Sequence, residues 1–307
     1  MKKCAFFVHL KWNEITGSFT FFKDILEENG YDVKEFQRVE WNETHHENIK
    51  EINKENYDLA VFCQVLPPAT YIKKLNCKNF VWLPMYDGTR GITLAKLKFI
   101  FYKGINLKLI CFSKKLHSEL KHFFNCEYFQ YFPKPGKKIT SYSKKKAFFW
   151  ERVKRIDLEF IQKTVLNLNE IDELTIRQHN DPFNQMEKKK TLDKKIKISH
   201  KWMPKKEYIK FTNQFNIFFA PRNKEGIGHS FLEPLSRGCV VIAPNDSTMN
   251  EYIVDKKTGY LYEFPSPKGK VNLSNLKEIG TNARKYMEQE YKEWKTKQKE
   301  MVKWMTK

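Results

Sequence analysis

Short apolar runs alternate with amphipathic stretches along the whole chain. Ala5 to Leu10 is nearly all apolar and reads as a first buried strand, and Phe19 to Glu28 carries helical spacing that stops at Asn29-Gly30, a C-terminal cap signal. Tyr31 to Phe36, Leu59 to Cys63, Phe80 to Leu83 and Leu109 to Phe112 are further short strands. Ser113 caps a helix that runs to Phe124, with Lys114 and Glu119 facing outward. The text then changes: Pro133 to Lys146 is proline, glycine, serine and lysine with little apolar content, a linker composition. The strand pattern restarts at Ala147 to Trp150, followed by a helix over Asp157 to Leu168 and strands at Glu173 to Arg177 and Ile196 to His200. Lys205 to Asn213 reads as a helix and Ile217 to Ala220 as a strand. Val240 to Ala243 is strand-like, Asn250 to Val254 a short helix, and Gly259 to Tyr262 a last strand. The tail from Leu273 to Lys307 is helical by composition. Strand and helix in regular alternation predict an α/β protein with parallel sheets.

Length divides this pattern in two, because 307 residues exceed one comfortable small core. The expected boundaries are 1–140 for a first domain, 141–280 for a second and 281–307 for the terminal helix. That helix sets Tyr286, Tyr291, Trp294, Met301, Trp304 and Met305 among many lysines. It reads either as an interfacial helix at a membrane or, preferably, as a tail packed on the body. The opening Met-Lys-Lys and apolar run resemble a short signal segment, but Lys11, Asn13 and Glu14 follow without a small-residue cleavage site, so a buried strand is the better reading. Apolar runs stay below the roughly 18 residues that a membrane-crossing helix needs.

Charge changes the picture more than composition does. The net charge of +20 is carried mainly by lysine, with few, scattered arginines. Base-reading proteins favour arginine forks, so the bias speaks against sequence-specific nucleic-acid binding. It suits an anionic membrane surface or diphosphate substrates, and lysine-rich genome composition contributes as well. The cysteines at 4, 63, 77, 111, 126 and 239 show no C-x-x-C spacing and sit mostly in or beside apolar runs, which fits reduced core thiols in a cytosolic protein. His45-His46 lacks ligand partners at metal spacing and reads as exposed.

Chemistry concentrates in Glu225 to Pro244, E-G-I-G-H-S-F-L-E-P-L-S-R-G-C-V-V-I-A-P. Gly226, Ile227 and Gly228 form a turn, so the helix starts near His229 or Ser230. A glycine-rich turn feeding a helix offers unpartnered N–H groups to an anion. Glu225 then stands at the helix mouth and Glu233 about one turn inside. One carboxylate can face a reacting group while the other holds a hydroxyl, which suits a ligand with both phosphate and sugar. His229 points at phosphate or fills the first helical position. This segment resembles the E-x7-E region of retaining nucleotide-sugar glycosyltransferases of the GT-B fold, glycosyltransferase family 4 in particular. Glu225, Gly226, Gly228, Glu233, Gly238 and Val241-Ile242-Ala243 match that pattern, while Pro234 and Val240 depart from it.

The resemblance implies a GT-B architecture: two Rossmann-like domains facing across a cleft, with the last helix returning to the first domain. It places Glu225 near the donor sugar, Glu233 on the ribose hydroxyls, and Arg152 with Lys154 (or its rival Arg155) on the diphosphate. Glu151 stands where the family has glycine. Gly17 falls where a glycine turn meets the diphosphate or acceptor, though it also reads as a simple helix-start loop. Asp87 matches a sugar-contacting residue or caps its own Asp-Gly turn. Arg222 adds positive charge beside the carboxylates. With no Asp-x-Asp pair in the sequence, fixed cations rather than a metal are expected to stabilise the leaving diphosphate. The implied activity is a retaining transferase of hexosyl type using a UDP- or GDP-type sugar and no further cofactor. Its acceptor would be a glycan or lipid-linked chain of surface polysaccharide, lipopolysaccharide or glycoconjugate. The expected place is the cytoplasm, peripheral at the inner membrane face. A GT-B nucleotide-sugar epimerase, a glycan-binding homologue without activity and a basic nucleic-acid-binding protein are the rivals.

Overall fold

The computed structural model describes residues 1–38, 49–88, 99–139, 141–178, 193–200 and 203–307. His45-His46 lies outside them. The chain forms two compact units, Met1–Tyr131 with Trp294–Lys307 (unit 1) and Phe132–Glu293 (unit 2).

Unit 1 is built on a six-stranded sheet of β1 (Lys2–Val8), β2 (Tyr31–Gln37), β3 (Leu59–Cys63), β4 (Phe80–Leu83), β5 (Leu107–Cys111) and β6 (Asn125–Tyr128). The order is β2-β1-β3-β4-β5-β6 and every pairing is parallel. β3, β4 and β5 are buried along their whole length, which is why β3 and β4 read as unbroken apolar runs, while β5 carries the buried Lys108. β6 is an edge strand of sequence Asn-Cys-Glu-Tyr, and no apolar run announces it.

Helices fill the connections: α1 (Leu10–Thr16), α2 (Thr20–Glu28), α3 (Ile49–Ile52), α4 (Ala69–Ile72) and α5 (Lys114–Leu120). The expected first strand thus ends at Val8, and Leu10 begins α1 instead. α1 buries no residue, so it has no apolar face for the sequence to display. α5 is capped by the Ser113 hydroxyl, which accepts from the Leu116 N–H (3.4 Å), and it ends at Leu120 rather than Phe124.

Unit 2 repeats the plan with β7 (Lys146–Glu151), β8 (Glu173–Gln178), β9 (Ile196–Ser199), β10 (Ile217–Phe219), β11 (Val240–Pro244) and β12 (Gly259–Tyr262). All pairings are parallel, in the order β12-β11-β10-β7-β8-β9. One face carries Ala147, Phe149, Ile176, Ile217 and Ile242 in a buried cluster with Ile156, Ile161 and Val165. On the other, Phe148 meets Phe215 (5.2 Å between ring centroids), Phe218 (5.8 Å) and Phe211 (5.9 Å). The helix expected over Asp157 to Leu168 is a single α-turn, α6 (Leu158–Phe160), that widens into a π-helical turn at Ile161–Val165. The helix expected at Asn250 to Val254 is a 3-10 turn at Met249–Glu251.

Further helices are α7 (Lys205–Thr212), α8 (His229–Arg237) and α9 (Leu276–Met305). α8 ends on Gly238 (φ +90°), whose carbonyl accepts from the Tyr142 hydroxyl (2.7 Å). A Cβ on Gly280 would lie 2.4 Å from that same carbonyl oxygen, so α9 can approach α8 this closely only with glycine there.

The end of α9 belongs to unit 1. There Trp294 packs edge-on to Tyr131 (5.8 Å), Lys295 pairs with Glu28 (2.7 Å), and Trp294, Met301 and Met305 are buried. The buried Lys108 ammonium donates to the last carbonyls, those of Trp304 (3.0 Å) and Met305 (3.2 Å), and lies over the Trp304 ring. These large groups therefore face protein.

Candidate active site

In unit 2 the chain runs outward from β7 through β8 and β9, then returns to start β10 on the other side of β7. The β7–β10 junction is a topological switch point, and ligands of open α/β sheets bind beyond the carboxyl ends of the strands at such a point. Two loops leave the sheet there. Arg152-Val153 follows β7, and Ala220 to Gly228 follows β10. The switch point thus brings together the loops that carry Arg152, Arg222 and Glu225.

The β10 loop leads straight into α8. Gly228 is its N-cap residue at φ +92°, and its carbonyl accepts from the N–H groups of Phe231 (3.1 Å) and Leu232 (2.9 Å). A Cβ there would lie 2.4 Å from Cε1 of Phe231, a fully buried ring. Gly228 therefore satisfies two demands at once, a left-handed backbone and room for that ring. Glu225 is buried and Ile227 beside it as well. The Ser230 hydroxyl donates to Glu225 Oε1 (2.9 Å), so the first turn of α8 orients the carboxylate. Thr248, fully buried, donates through its hydroxyl to the carbonyls of Glu225 (2.7 Å) and Gly226 (3.3 Å). Ser230 and Thr248 were not singled out from sequence. Thr248 falls in the Asn245 to Met249 loop after β11, but nothing in the sequence says which of its residues turns toward Glu225.

His229 is the first residue of α8 and is half-buried. Glu233 follows one turn later, also half-buried. Burial pushes its carboxyl above the ordinary carboxylate range, and the positive charges of Lys205 and Arg237 act in the opposite sense.

After β7 the geometry separates the candidate cations. The Arg152 guanidinium lies 4.3 Å from the centroid of the Trp150 ring. Lys154 and Arg155 occupy the tip of a tight turn closed by a Val153–Ile156 bridge, and both are exposed. Glu151 is fully buried. Its carboxylate accepts from the Gln178 side chain (2.6 Å) and from the Leu158 N–H at the start of α6 (3.4 Å), which ties the ends of β7 and β8 together. Arg177, at the end of β8, lies over Trp150 (4.8 Å) and Tyr208 of α7 (5.0 Å). Its proximity to Trp150 comes from the β7–β8 register, which the sequence does not display.

The remaining candidates are in unit 1. Gly17 ends α1 in a left-handed conformation (φ +61°), and its N–H donates to the Asn13 carbonyl (2.7 Å). The next amides are also engaged, Ser18 N–H with the Thr16 hydroxyl (3.3 Å) and Phe19 N–H with Asn13 Oδ1 (3.0 Å). Asp87 is half-buried in a 3-10 turn, Tyr86–Gly88, just past β4. Among the described residues, no group of three or more His, Cys, Asp or Glu is placed to hold a metal ion. No helix of the described residues is long and apolar enough to cross a membrane.

Two parallel six-stranded sheets with a carboxylate loop at the second switch point define the class: this is the GT-B fold of glycosyltransferases. Residues 178–294 match the family described as glycosyl transferases group 1, and by that domain the chain is a glycosyltransferase. A sucrose-phosphate synthase from Thermosynechococcus elongatus is similar in structure at 11% identity, with a TM-score of 0.68 over 99% of this chain and 98% of that one. Alr3699/HepE of Anabaena, in complex with UDP and glucose, is similar at 11% identity and a TM-score of 0.62 over all of both chains. A glycosyltransferase from Rickettsia africae gives 14% identity and a TM-score of 0.60 over 100% of this chain and 99% of that one. No curated protein matches the chain by sequence.

Proposed function

We propose that this chain is a retaining, metal-independent glycosyltransferase that moves a sugar from a nucleotide-diphosphate donor to a glycan or lipid-linked acceptor. The observation that carries the reading is the convergence of Arg152 and the Glu225 loop on the β7–β10 switch point, inside the half of the chain that holds the group 1 match. UDP bound in HepE, a structural neighbour, supports a donor of this type.

In this reading the Glu233 carboxylate takes the ribose hydroxyls and Arg152 the diphosphate. Lys154 or Arg155, at the tip of a solvent-exposed turn, reaches the phosphates as a second cation. Gly226, Ile227, Gly228 and His229 present backbone and ring donors to the same anion, and Arg222 adds positive charge. The buried Glu225, oriented by Ser230, meets the donor sugar. The bond from the anomeric carbon to the phosphate oxygen breaks, and its electron pair leaves with the nucleoside diphosphate. The acceptor oxygen bonds to the anomeric carbon on the same face, and its proton passes to the departing phosphate oxygen. Fixed cations lower this barrier because they are already in place when negative charge builds on the leaving group. The roles given to Asp87 and Gly17 rest on the resemblance alone. A surface-glycan pathway, cytoplasmic location and peripheral contact with anionic lipid complete the proposal, the last motivated by the net charge of +20.

The test is incubation with UDP-, GDP- and ADP-sugars in EDTA, with glycan or polyprenyl-linked acceptors. Release of nucleoside diphosphate, with an anomeric proton coupling in the product matching that of the donor, is expected. An inverted coupling sinks the retaining mechanism. A new sugar isomer formed without any acceptor gives the epimerase reading instead.

A further inference from the structure

Arg177 has no role in the reading so far, yet its surroundings are unusual for an arginine. It is only 4% exposed. Its guanidinium lies over the rings of Trp150 (4.8 Å) and Tyr208 (5.0 Å), and its buried Nε has no hydrogen-bond acceptor among the described residues. Arg152 shares the same Trp150 ring at 4.3 Å. Two guanidinium groups thus converge on one indole at the carboxyl-end residues of β7 and β8. Burial pushes Arg177 below its ordinary value; the Tyr208 phenol opposes this and the Arg152 charge adds to it. A guanidinium does not give up its proton in a protein, so the charge stays and needs a counter-charge. Glu151, the nearest buried carboxylate in sequence, is held by Gln178 and the Leu158 N–H instead.

We propose that Arg177 is a further donor-binding residue: with Arg152 it forms a two-arginine clamp, braced by Trp150 and Tyr208, that takes the phosphate oxygens of the donor diphosphate. The inference rests on the assignment of unit 2 as the donor half. Guanidinium forks match phosphate in a bidentate way, and the two rings limit the side-chain freedom lost on binding. The Tyr208 phenol feels the charges of Arg177, Glu233, Arg237 and Arg152 together. A purely mechanical role, bracing the two rings, would need no charge and would leave the buried Arg177 guanidinium without a counter-charge among the described residues.

The experiment is calorimetric titration of the full chain and of Arg177→Met and Arg177→Lys with inorganic pyrophosphate. UDP, GDP, ADP and the matching nucleosides are titrated alongside. Arg177→Met is expected to weaken pyrophosphate and the bound nucleoside diphosphate by about ten- to hundredfold, with nucleoside affinity unchanged within about twofold. Arg177→Lys keeps the charge without the fork and is expected to lose about three- to tenfold. It also carries the test should Arg177→Met fail to show a cooperative thermal transition. Equal losses for nucleoside and diphosphate, or pyrophosphate affinity untouched in either folded variant, overturn the clamp. Wild-type protein that binds pyrophosphate through Arg177 but no nucleoside diphosphate would sink the transferase reading and leave the anion site standing.

Discussion

Replacing Gly228 by alanine strikes the joint between the two carboxylates. The residue sits at φ +92°, and an added Cβ would lie 2.4 Å from Cε1 and 2.7 Å from Cζ of Phe231. That ring cannot swing out, because it is fully buried and faces Tyr252 edge-on at 5.8 Å. A left-handed alanine costs about 1–2 kcal/mol, and forcing a packed ring aside about 1–3 kcal/mol more, so a loss of roughly 2–5 kcal/mol is expected. Against a typical stability of about 5–15 kcal/mol this is a large share. Urea denaturation followed by tryptophan fluorescence measures it. Gly228→Asn separates the two causes, since asparagine tolerates the left-handed region but keeps the Cβ; it should recover part of the backbone cost and none of the clash. The displaced ring should also shift the start of α8, and with it Ser230 and Glu225, so nucleotide affinity is expected to fall in parallel. Gly228→Ala as stable as the wild type within about 0.5 kcal/mol would refute both parts of the argument.

Glu233→Gln should weaken nucleotide binding yet raise thermal stability at neutral pH. The folded state raises this carboxyl, so ionised Glu233 costs stability that is regained as pH falls through its raised value toward the ordinary carboxylate value. The gap in Tm between variant and wild type should therefore close on acidification, and a gap independent of pH speaks against the cause. Thr248→Val removes the hydroxyl shared by the Glu225 and Gly226 carbonyls and should cost about 1–3 kcal/mol in urea denaturation, with unchanged stability the contrary result. Lys108→Met removes the cation that closes the end of α9. Faster hydrogen exchange confined to the last turns of that helix is expected, and wild-type exchange there would show the carbonyls need no such partner. Arg152→Ala should depress turnover under donor saturation, and an unchanged kcat would remove it from the diphosphate.

How far the sequence disclosed this depended on where each residue's partners lie. β3 and β4 are buried on both faces, so their apolar runs are local and plain, whereas Lys108 interrupts the run of the equally buried β5. β6 is half-exposed at an edge and α1 buries nothing, and neither leaves a local pattern. The π-helical turn after α6 keeps helical composition while changing the geometry, which spacing cannot reveal. In the site, the turn before α8 was legible because Gly226 and Gly228 interrupt the apolar spacing beside Glu225. The Arg152–Trp150–Arg177 arrangement was not, since it exists only through the pairing of Trp150 with Arg177 across β7 and β8. Likewise, nothing local distinguishes Arg152, against an indole, from Lys154 and Arg155 two and three residues on, which the Val153–Ile156 bridge turns outward.

The central claim is that the switch point of unit 2 holds a nucleotide-sugar donor through fixed cations and Glu233. Calorimetric titration of the purified chain with UDP, GDP, ADP and CMP, in EDTA and again with magnesium, tests it most directly. The account predicts saturable binding of one nucleoside diphosphate in EDTA, lost in Glu233→Ala. Binding of none of them, alongside tight and salt-sensitive binding of an oligonucleotide, would contradict it.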